Sequence, residues 1–267
     1  MSPFGDYYHK PCIGMWEFFT EKMNGKVEVD LAKSAYIGDA AGRKGDFDNT
    51  DYKFAKNCGL PFKTPENFFL GQKDSLPAFE MDLSKIPENG PLFQSGKDTK
   101  VKSGKKEMII FVGSPGSGKS SFWKNYLSDY EHINNDTLGN KKKSLKVCEE
   151  KLAAGKSVVI DNTNPGKDVR KEWLTLAKKY DYPARCFYFK INKELAFHMD
   201  EQRKKNIHRK HQSKRVGKMP VHTFFKYCEE PTKAEGFEAV EIVNLVGKFQ
   251  NDKDKKLFYS YISSSKH

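Results

Sequence analysis

The sequence predicts an α/β protein in which a parallel sheet carries helices on both faces. Three observations predict it. The run EMIIFVG (107–113), apolar after its first residue, is a buried strand by length and content. It leads straight into GSPGSGKS (113–120), which fits G-x-x-x-x-G-K-[ST] in full. Beyond it, strand-like and helix-like segments alternate at the rhythm of parallel strands joined by crossover helices.

The elements follow in order along the chain. Residues 1–72 read as compact α/β sequence. A short apolar run from Ser34 ends at Gly38 and drops into GDAAGR (38–43), and Asp51 to Cys58 reads as a helix that stops at Gly59. Residues 73–106 hold prolines, glycines and lysines without apolar periodicity and are expected to be a linker whose first part packs on a neighbour. Residues 107–250 are the second domain. After its opening strand and Gly-rich turn, a helix is expected from about Lys119 to Leu127. KSVVIDNTNP (156–165) is a second buried strand ending in a polar corner, and PARCFYFKI (183–191) is a third. Asp168 to Lys179 between them reads as helical. Residues 251–267 are expected to be a polar C-terminal tail.

Composition bounds the function. The longest apolar run, Met108 to Val112, is far short of a membrane span, and the N-terminus MSPFGDYYHK is not a secretory signal. No membrane partner is expected. Five scattered cysteines without a CxxC pair argue against a disulfide framework and a zinc site, and suit a reducing compartment. The net charge of +12 is uneven: residues 1–100 hold 13 Lys/Arg against 15 Asp/Glu, and the remainder holds 34 against 20. An acidic partner is therefore expected at the C-terminal part.

The Gly-rich loop is a nucleotide site. Glycines let backbone N–H groups turn onto phosphate, and the following helix adds its positive end. Gly113, Ser114, Gly116, Ser117, Gly118, Lys119, Ser120 and Ser121 make the cradle. Lys119 supplies a point charge to the β- and γ-phosphates, and the Ser120 hydroxyl reaches Mg²⁺. ATP and Mg²⁺ are the expected cofactors. The guanine-reading NKxD of GTPases is missing, and Asp161 at the end of VVIDNTNP is followed by asparagines rather than a second acid. That corner suits holding an acceptor or a metal-bound water; it also reads as a polar strand-end turn.

The acceptor side starts at HINNDTL (132–138). A kinase acting on a hydroxyl wants a carboxylate near the γ-phosphate, and Asp136 stands in the loop where P-loop kinases place it. The same residue also reads as the N-cap of the next helix. RKKNIHRKHQSKRVGK (203–218) carries eight Lys/Arg and no acid. It reads as a solvated basic helix face or as a lid over the γ-phosphate whose surplus of cations suits a polyanionic acceptor.

These residues resemble the polynucleotide kinase 3′-phosphatase family. GSPGSGKSSF, INNDTLG, VVIDNTNP, ARCFYF and EEPTKAEGF stand in the family's order across residues 108–240. The resemblance implies transfer of the ATP γ-phosphate to a 5′-hydroxyl of DNA or RNA in strand-break repair, with Asp136 as general base and Arg203 as lid arginine. It also implies a nuclear location, and a monomer is expected. Asn135 departs from the family, which commonly has arginine there.

The N-terminal piece resembles the closing third of the family's haloacid-dehalogenase-type phosphatase domain, through YYHKPCIGMW, YIGDAAGR, DFDNTDYKFA and GLPFKTPENFFL. By position Lys10 would neutralise a phospho-aspartate and Asp39 would hold Mg²⁺. The expected fold is thus a P-loop kinase domain preceded by an incomplete haloacid-dehalogenase-type α/β domain (1–72). The DxDGT nucleophile is not in the sequence, so no 3′-phosphatase activity is expected. Unpaired sheet edges and exposed apolar surface are expected in residues 1–72. The family's forkhead-associated domain is not expected here either, so phosphoprotein docking is not implied. A small-metabolite kinase and a catalytically silent nucleic-acid-binding scaffold are the other readings. The basic lid weighs against the first, and the presence of Lys119, Ser120 and Asp136 against the second.

Overall fold

The computed structural model describes residues 7–79, 81–96, 98–205, 216–249 and 251–262, without the side chains of 204 and 205. Two units share them: residues 1–85, 197–215 and 248–267 form the first, and 86–196 and 216–247 the second.

In the first unit, α1 (Gly14–Phe18) runs on as a π-helical turn (Phe19–Met23). Strand β1 (Tyr36–Ile37), helix α2 (Thr50–Cys58), strand β2 (Phe62–Lys63) and helix α3 (Pro65–Leu70) follow. Phe54, Ala55 and Cys58 put the apolar face of α2 onto Ile13 and Leu60, with Tyr36 and Phe62 alongside. Gly59, at φ 72°, ends α2 in the left-handed region. Thr64 caps α3 through its hydroxyl oxygen, which accepts from the Asn67 backbone N–H, and Pro65 occupies the first helical position.

β1 and β2 pair in parallel as a two-stranded sheet, Tyr36 opposite Phe62 and Ile37 opposite Lys63. Among the described residues β1 has no partner on its other edge. Met15, Phe18, Phe19 and Met23, and Phe68, Phe69 and Leu70 of α3, are exposed. The sheet is too narrow to cover them.

The segment expected to be a linker is anchored at intervals. Asp74 accepts from the Thr64 hydroxyl, Phe79 stacks on Tyr52 and Tyr261 with centroids 4.6 and 4.4 Å away, and Leu83 is buried. Phe93 is 1% exposed and bridges Val243 in the second unit. Isolated apolar anchors carry no periodicity, so the sequence pattern does not show them.

The second unit opens with β3 (Met108–Gly113), followed by α4 (Lys119–Tyr126), β4 (Glu131–Ile133), α5 (Asn135–Leu138), α6 (Lys141–Ala153), β5 (Val158–Ile160), α7 (Lys167–Lys179) and β6 (Ala184–Phe189). Helix α8 (Lys193–Lys205) begins in this unit and continues in residues grouped with the first. α9 (Lys218–Tyr227) and β7 (Ala239–Ile242) complete the second unit. Among the described residues its strands form a five-stranded parallel sheet in the order β4-β5-β3-β6-β7. Every residue of β3, β5 and β6 is buried, the mark of strands covered on both faces. Cys148 and Leu152 of α6 and Trp173 and Ala177 of α7 pack on the face of Met108, Ile110 and Val158. Phe122 of α4 packs on the opposite face, with Ile109, Phe111 and Val159.

Residues 251–262 are not a free polar tail. Helix α10 (Asp252–Tyr259) buries Leu257 and Phe258, and Ile262 beyond it is also buried, packed with Cys12. Asn57 binds the backbone of Tyr261 in both directions, at 2.8 and 2.9 Å. Three apolar residues among lysines and aspartates are enough for docking, though too few to read as a core helix from composition.

His198 of α8 is fully buried, and its Nε2–H donates to the Phe258 carbonyl at 2.8 Å. Burial lowers its pKa to about 4, outweighing that hydrogen bond, with the Lys53 charge adding to the fall. The folded chain keeps His198 neutral while the unfolded chain protonates near 6.5, so stability is lost as pH falls from about 6.5 towards 4. The loss is about 3 kcal/mol. A His198→Gln variant is expected to flatten the dependence of Tm on pH in that window; an unchanged slope would assign the acid sensitivity to other groups.

Candidate active site

The loop from Gly113 to Ser120 joins β3 to α4 at the carboxyl end of the central strand, where ligands bind in open parallel sheets. Gly116 and Gly118 take left-handed φ values of 82° and 91°, which lets consecutive N–H groups face inward. Lys119 is buried, its ammonium donating to the Gly113 and Ser114 carbonyls at 2.9 and 2.8 Å. Ser120 is exposed on the first turn of α4. The Ser114 hydroxyl is buried with no hydrogen-bond partner. A buried hydroxyl in that state is costly unless a ligand engages it.

Two neighbouring strand ends close on this cradle. The Gly113 N–H donates to the Thr163 carbonyl at 3.2 Å and Asn164 Nδ2 to the Phe111 carbonyl at 2.7 Å, tying the corner after β5 to β3. The Asp161 N–H donates to the Ile133 carbonyl at 2.9 Å, and Asn134 Nδ2 to the Asp161 carbonyl at 2.6 Å. The Asn135 N–H donates to Asn162 Oδ1 at 2.9 Å, while Asn162 Nδ2 and Asn135 Oδ1 are buried without partners.

Asp136 lies in α5 with its side chain exposed. The cap of that helix is Asn134, whose side-chain oxygen accepts from the N–H groups of Asp136 and Thr137 at 2.8 and 3.2 Å. Among the described residues no group pairs with the Asp136 carboxylate. The capping reading of Asp136 is therefore replaced by Asn134.

Asp161 has a side chain 1% exposed. Burial would raise its pKa, but the His132 hydrogen bond, the Lys119 charge and the Ser120 hydroxyl together hold it below the usual carboxylate range. An ionised carboxylate beside an exposed serine hydroxyl is an oxygen donor set that fits Mg²⁺ arriving on nucleotide phosphates. Among the described residues no three His, Cys, Asp or Glu side chains form a metal cage.

Arg203 lies on α8, in the part grouped with the first unit. Most of the basic run that follows, 206–215, lies outside the described residues, as do the side chains of 204 and 205.

In the first unit, Lys10 Nζ donates to Asp51 Oδ1 at 2.5 Å and to the Tyr36 hydroxyl at 3.2 Å. Burial would lower the Lys10 pKa; those two partners outweigh it and raise it. Asp51 Oδ2 accepts from the Ala40 N–H at 3.1 Å, and a Cβ at Gly38 would lie 2.5 Å from that oxygen, so GDAAGR needs its first glycine for this approach. Asp39 is exposed on the same turn. Sequence reasoning named Lys10 and Asp39 and missed Asp51. The signal was the last acid of DFDNTD, on the first turn of a helix that packs beside β1.

DFDNT (46–50) has the spacing of the absent nucleophile motif without its setting. No strand leads into it, and Asp46 is taken up by Arg43 Nε at 2.9 and 3.2 Å and by the N–H groups of Ala41 and Arg43.

Residues 1–69 match the family described as Polynucleotide kinase 3 phosphatase, and residues 108–219 match an AAA domain. The second unit is a nucleotide-binding, P-loop kinase-type domain with the predicted parallel sheet. The chain is 39% identical over 242 residues to a bifunctional polynucleotide phosphatase/kinase of Schizosaccharomyces pombe, covering 89% of this chain and 57% of that protein. It is 36% identical over 265 residues to a putative bifunctional polynucleotide phosphatase/kinase of Acanthamoeba polyphaga mimivirus, covering 89% and 62%. Its N-terminal part is 44% identical over 69 residues to a polynucleotide 3′-phosphatase of Saccharomyces cerevisiae, covering 23% of this chain and 29% of that protein. The chain thus spans about three fifths of the length of the two bifunctional relatives, and the expected resemblance to that family holds along most of it.

Proposed function

We propose that this chain is an ATP-dependent polynucleotide 5′-hydroxyl kinase whose described residues carry no complete 3′-phosphatase site. The observation that carries the reading is the Gly113–Ser120 cradle, tied through Asp161 and Asn162 to the loop bearing Asp136, in a chain similar over 89% of its length to bifunctional polynucleotide phosphatase/kinases.

The N–H groups of the cradle and Lys119 hold the β- and γ-phosphates of ATP, the ammonium exchanging loop carbonyls for phosphate oxygens. Mg²⁺, held through Ser120 and Asp161, supplies positive charge to the triphosphate when bound. Asp136 takes the proton of the 5′-hydroxyl as its oxygen bonds to the γ-phosphorus. The bond from that phosphorus to the bridging oxygen breaks and ADP leaves. The resemblance supports Arg203 as a lid arginine that would stabilise charge on the transferred group. The surplus of 14 cations beyond residue 100 supports a polyanionic acceptor. The resemblance supports DNA or RNA ends as substrate, strand-break repair as setting and the nucleus as location. Lys10, Asp51 and Asp39 are supporting parts of a phosphatase centre, and hydrolysis through a phospho-enzyme needs an aspartate that the sequence does not supply beside them.

The test uses the chain with γ-labelled ATP, Mg²⁺ and two oligonucleotides, one with a 5′-hydroxyl and one that also carries a 3′-phosphate. Label on both 5′ ends with the 3′-phosphate retained is the expected result. ATP binding without transfer to either would move the reading to small acceptors or a scaffold, and release of the 3′-phosphate would overturn the phosphatase half.

A further inference from the structure

We propose that His132, clamped between Trp123 and Asp161, is a positioning residue that fixes the Asp161 carboxylate against the cradle. The proposal rests on the kinase reading above and adds a part that it does not contain.

Strand register places the three groups together. β4 and β5 pair with His132 opposite Val159 and Ile133 opposite Ile160. Side chains alternate along a strand, so His132, Val159 and Asp161 share one sheet face. It is the face covered by α4, because Val159 packs with Phe122. Ser120 and Trp123 stand three apart on α4 and so present the same side of that helix. The Ser120 hydroxyl helps to hold the Asp161 pKa down. Trp123 meets Asp161 through His132: the rings stack with centroids 3.9 Å apart and planes 13° apart, and His132 Nε2 lies 2.9 Å from Asp161 Oδ2.

The tautomer follows from the chemistry. An ionised carboxylate only accepts, so the proton of this bond is on Nε2 and His132 is the donor. Trp123 is itself fixed, since its Nε1–H donates to the Tyr130 carbonyl at 3.2 Å, just before β4 begins. The indole tether and the ring stack thus hold the imidazole against the Asp161 carboxylate. Core packing does not require this arrangement, because the His132 side chain is 21% exposed at a strand end while the carboxylate it holds is buried. Groups that orient a ligating carboxylate are typically worth about 10–100-fold in metal affinity.

The experiment measures ADP binding by titration calorimetry with Mg²⁺ and with EDTA, alongside the Mg²⁺ half-saturation of oligonucleotide phosphorylation. His132→Ala is expected to weaken MgADP about tenfold or more while leaving metal-free ADP within about twofold, and to raise the Mg²⁺ half-saturation in parallel. His132→Gln, whose amide N–H can replace Nε2–H, is expected to restore most of the loss. Trp123→Phe keeps a stacking ring but loses the tether to Tyr130 and is expected to fall between wild type and His132→Ala, whereas Trp123→Leu behaves like His132→Ala. Equal loss with and without Mg²⁺, or no rescue by glutamine in a variant that melts like wild type, overturns the proposal. Calorimetry needs no acceptor, so failure of the wild type to phosphorylate any oligonucleotide would sink the kinase reading alone.

Discussion

Arg170→Ala is expected to destabilise the second unit by about 3–5 kcal/mol, the cost of breaking a buried ion pair by removing one partner. Arg170 is 0% exposed. Its Nε and Nη2 donate to both oxygens of Glu235 at 2.7 and 2.8 Å, and Nη1 donates to the carbonyls of Asn164, Pro165 and Glu229 at 3.1, 2.8 and 3.0 Å. Alanine would leave a buried carboxylate and three carbonyls without their donor. Lysine cannot rescue it, because an ammonium lacks the planar fork that meets Glu235 with two N–H groups and the carbonyls with a third. The damage would reach the site. Asn164 stands at φ 44° with its side chain shared between the Phe111 carbonyl and the Trp173 indole, and the adjacent Thr163 carbonyl holds Gly113 of the cradle. Urea unfolding checks the value: a loss under about 1 kcal/mol would mean that water replaces the guanidinium and that the buried ion pair does not hold this corner. Adding Glu235→Leu to Arg170→Met should recover part of the loss, since an apolar pair avoids the orphaned charge.

The legible parts of this chain are those in which local chemistry and tertiary role coincide. The cradle was readable because glycine, lysine and serine at fixed spacing have few other uses, and β3, β5 and β6 because strand-length runs dominated by apolar residues are buried on both faces. EEPTKAEGF was readable only as a family segment. The structure gives its physics: Thr232 and Glu235 make a capping box, and Glu235 also receives Arg170 from 65 residues away. Such pairs carry no local signal. Asp51 stayed hidden for the same reason, since its partner Lys10 is 41 residues distant. His132 has a role that depends on strand register, which single-sequence periodicity does not fix. The anchors of residues 73–106 and 251–262, such as Phe79, Phe93 and Ile262, were not legible because single apolar residues make no periodic face.

Asp136→Asn is expected to lower kcat on a 5′-hydroxyl oligonucleotide by about a hundredfold or more, with ATP binding unchanged. The asymmetry follows from placement. The Asp136 side chain is exposed and holds no partner among the described residues, while the capping of α5 belongs to Asn134, so the amide changes neither helix nor cradle and removes only the proton acceptor. Lys119→Ala acts on the other reactant. Its ammonium is the cradle's internal cation, 2.9 and 2.8 Å from two loop carbonyls, and its loss should cost about 10²–10³ in kcat and weaken ATP as well. A KM-against-kcat comparison therefore separates the roles: the aspartate variant keeps KM for ATP, and the lysine variant loses both. Oligonucleotide binding, measured by anisotropy, should survive either change, because neither removes the cations beyond residue 200. If Asp136→Asn retains near-normal turnover, the base is not Asp136, and the buried, unpartnered Asn135 and Asn162 atoms beside it become the place to look for how the hydroxyl is held and by what its proton is taken.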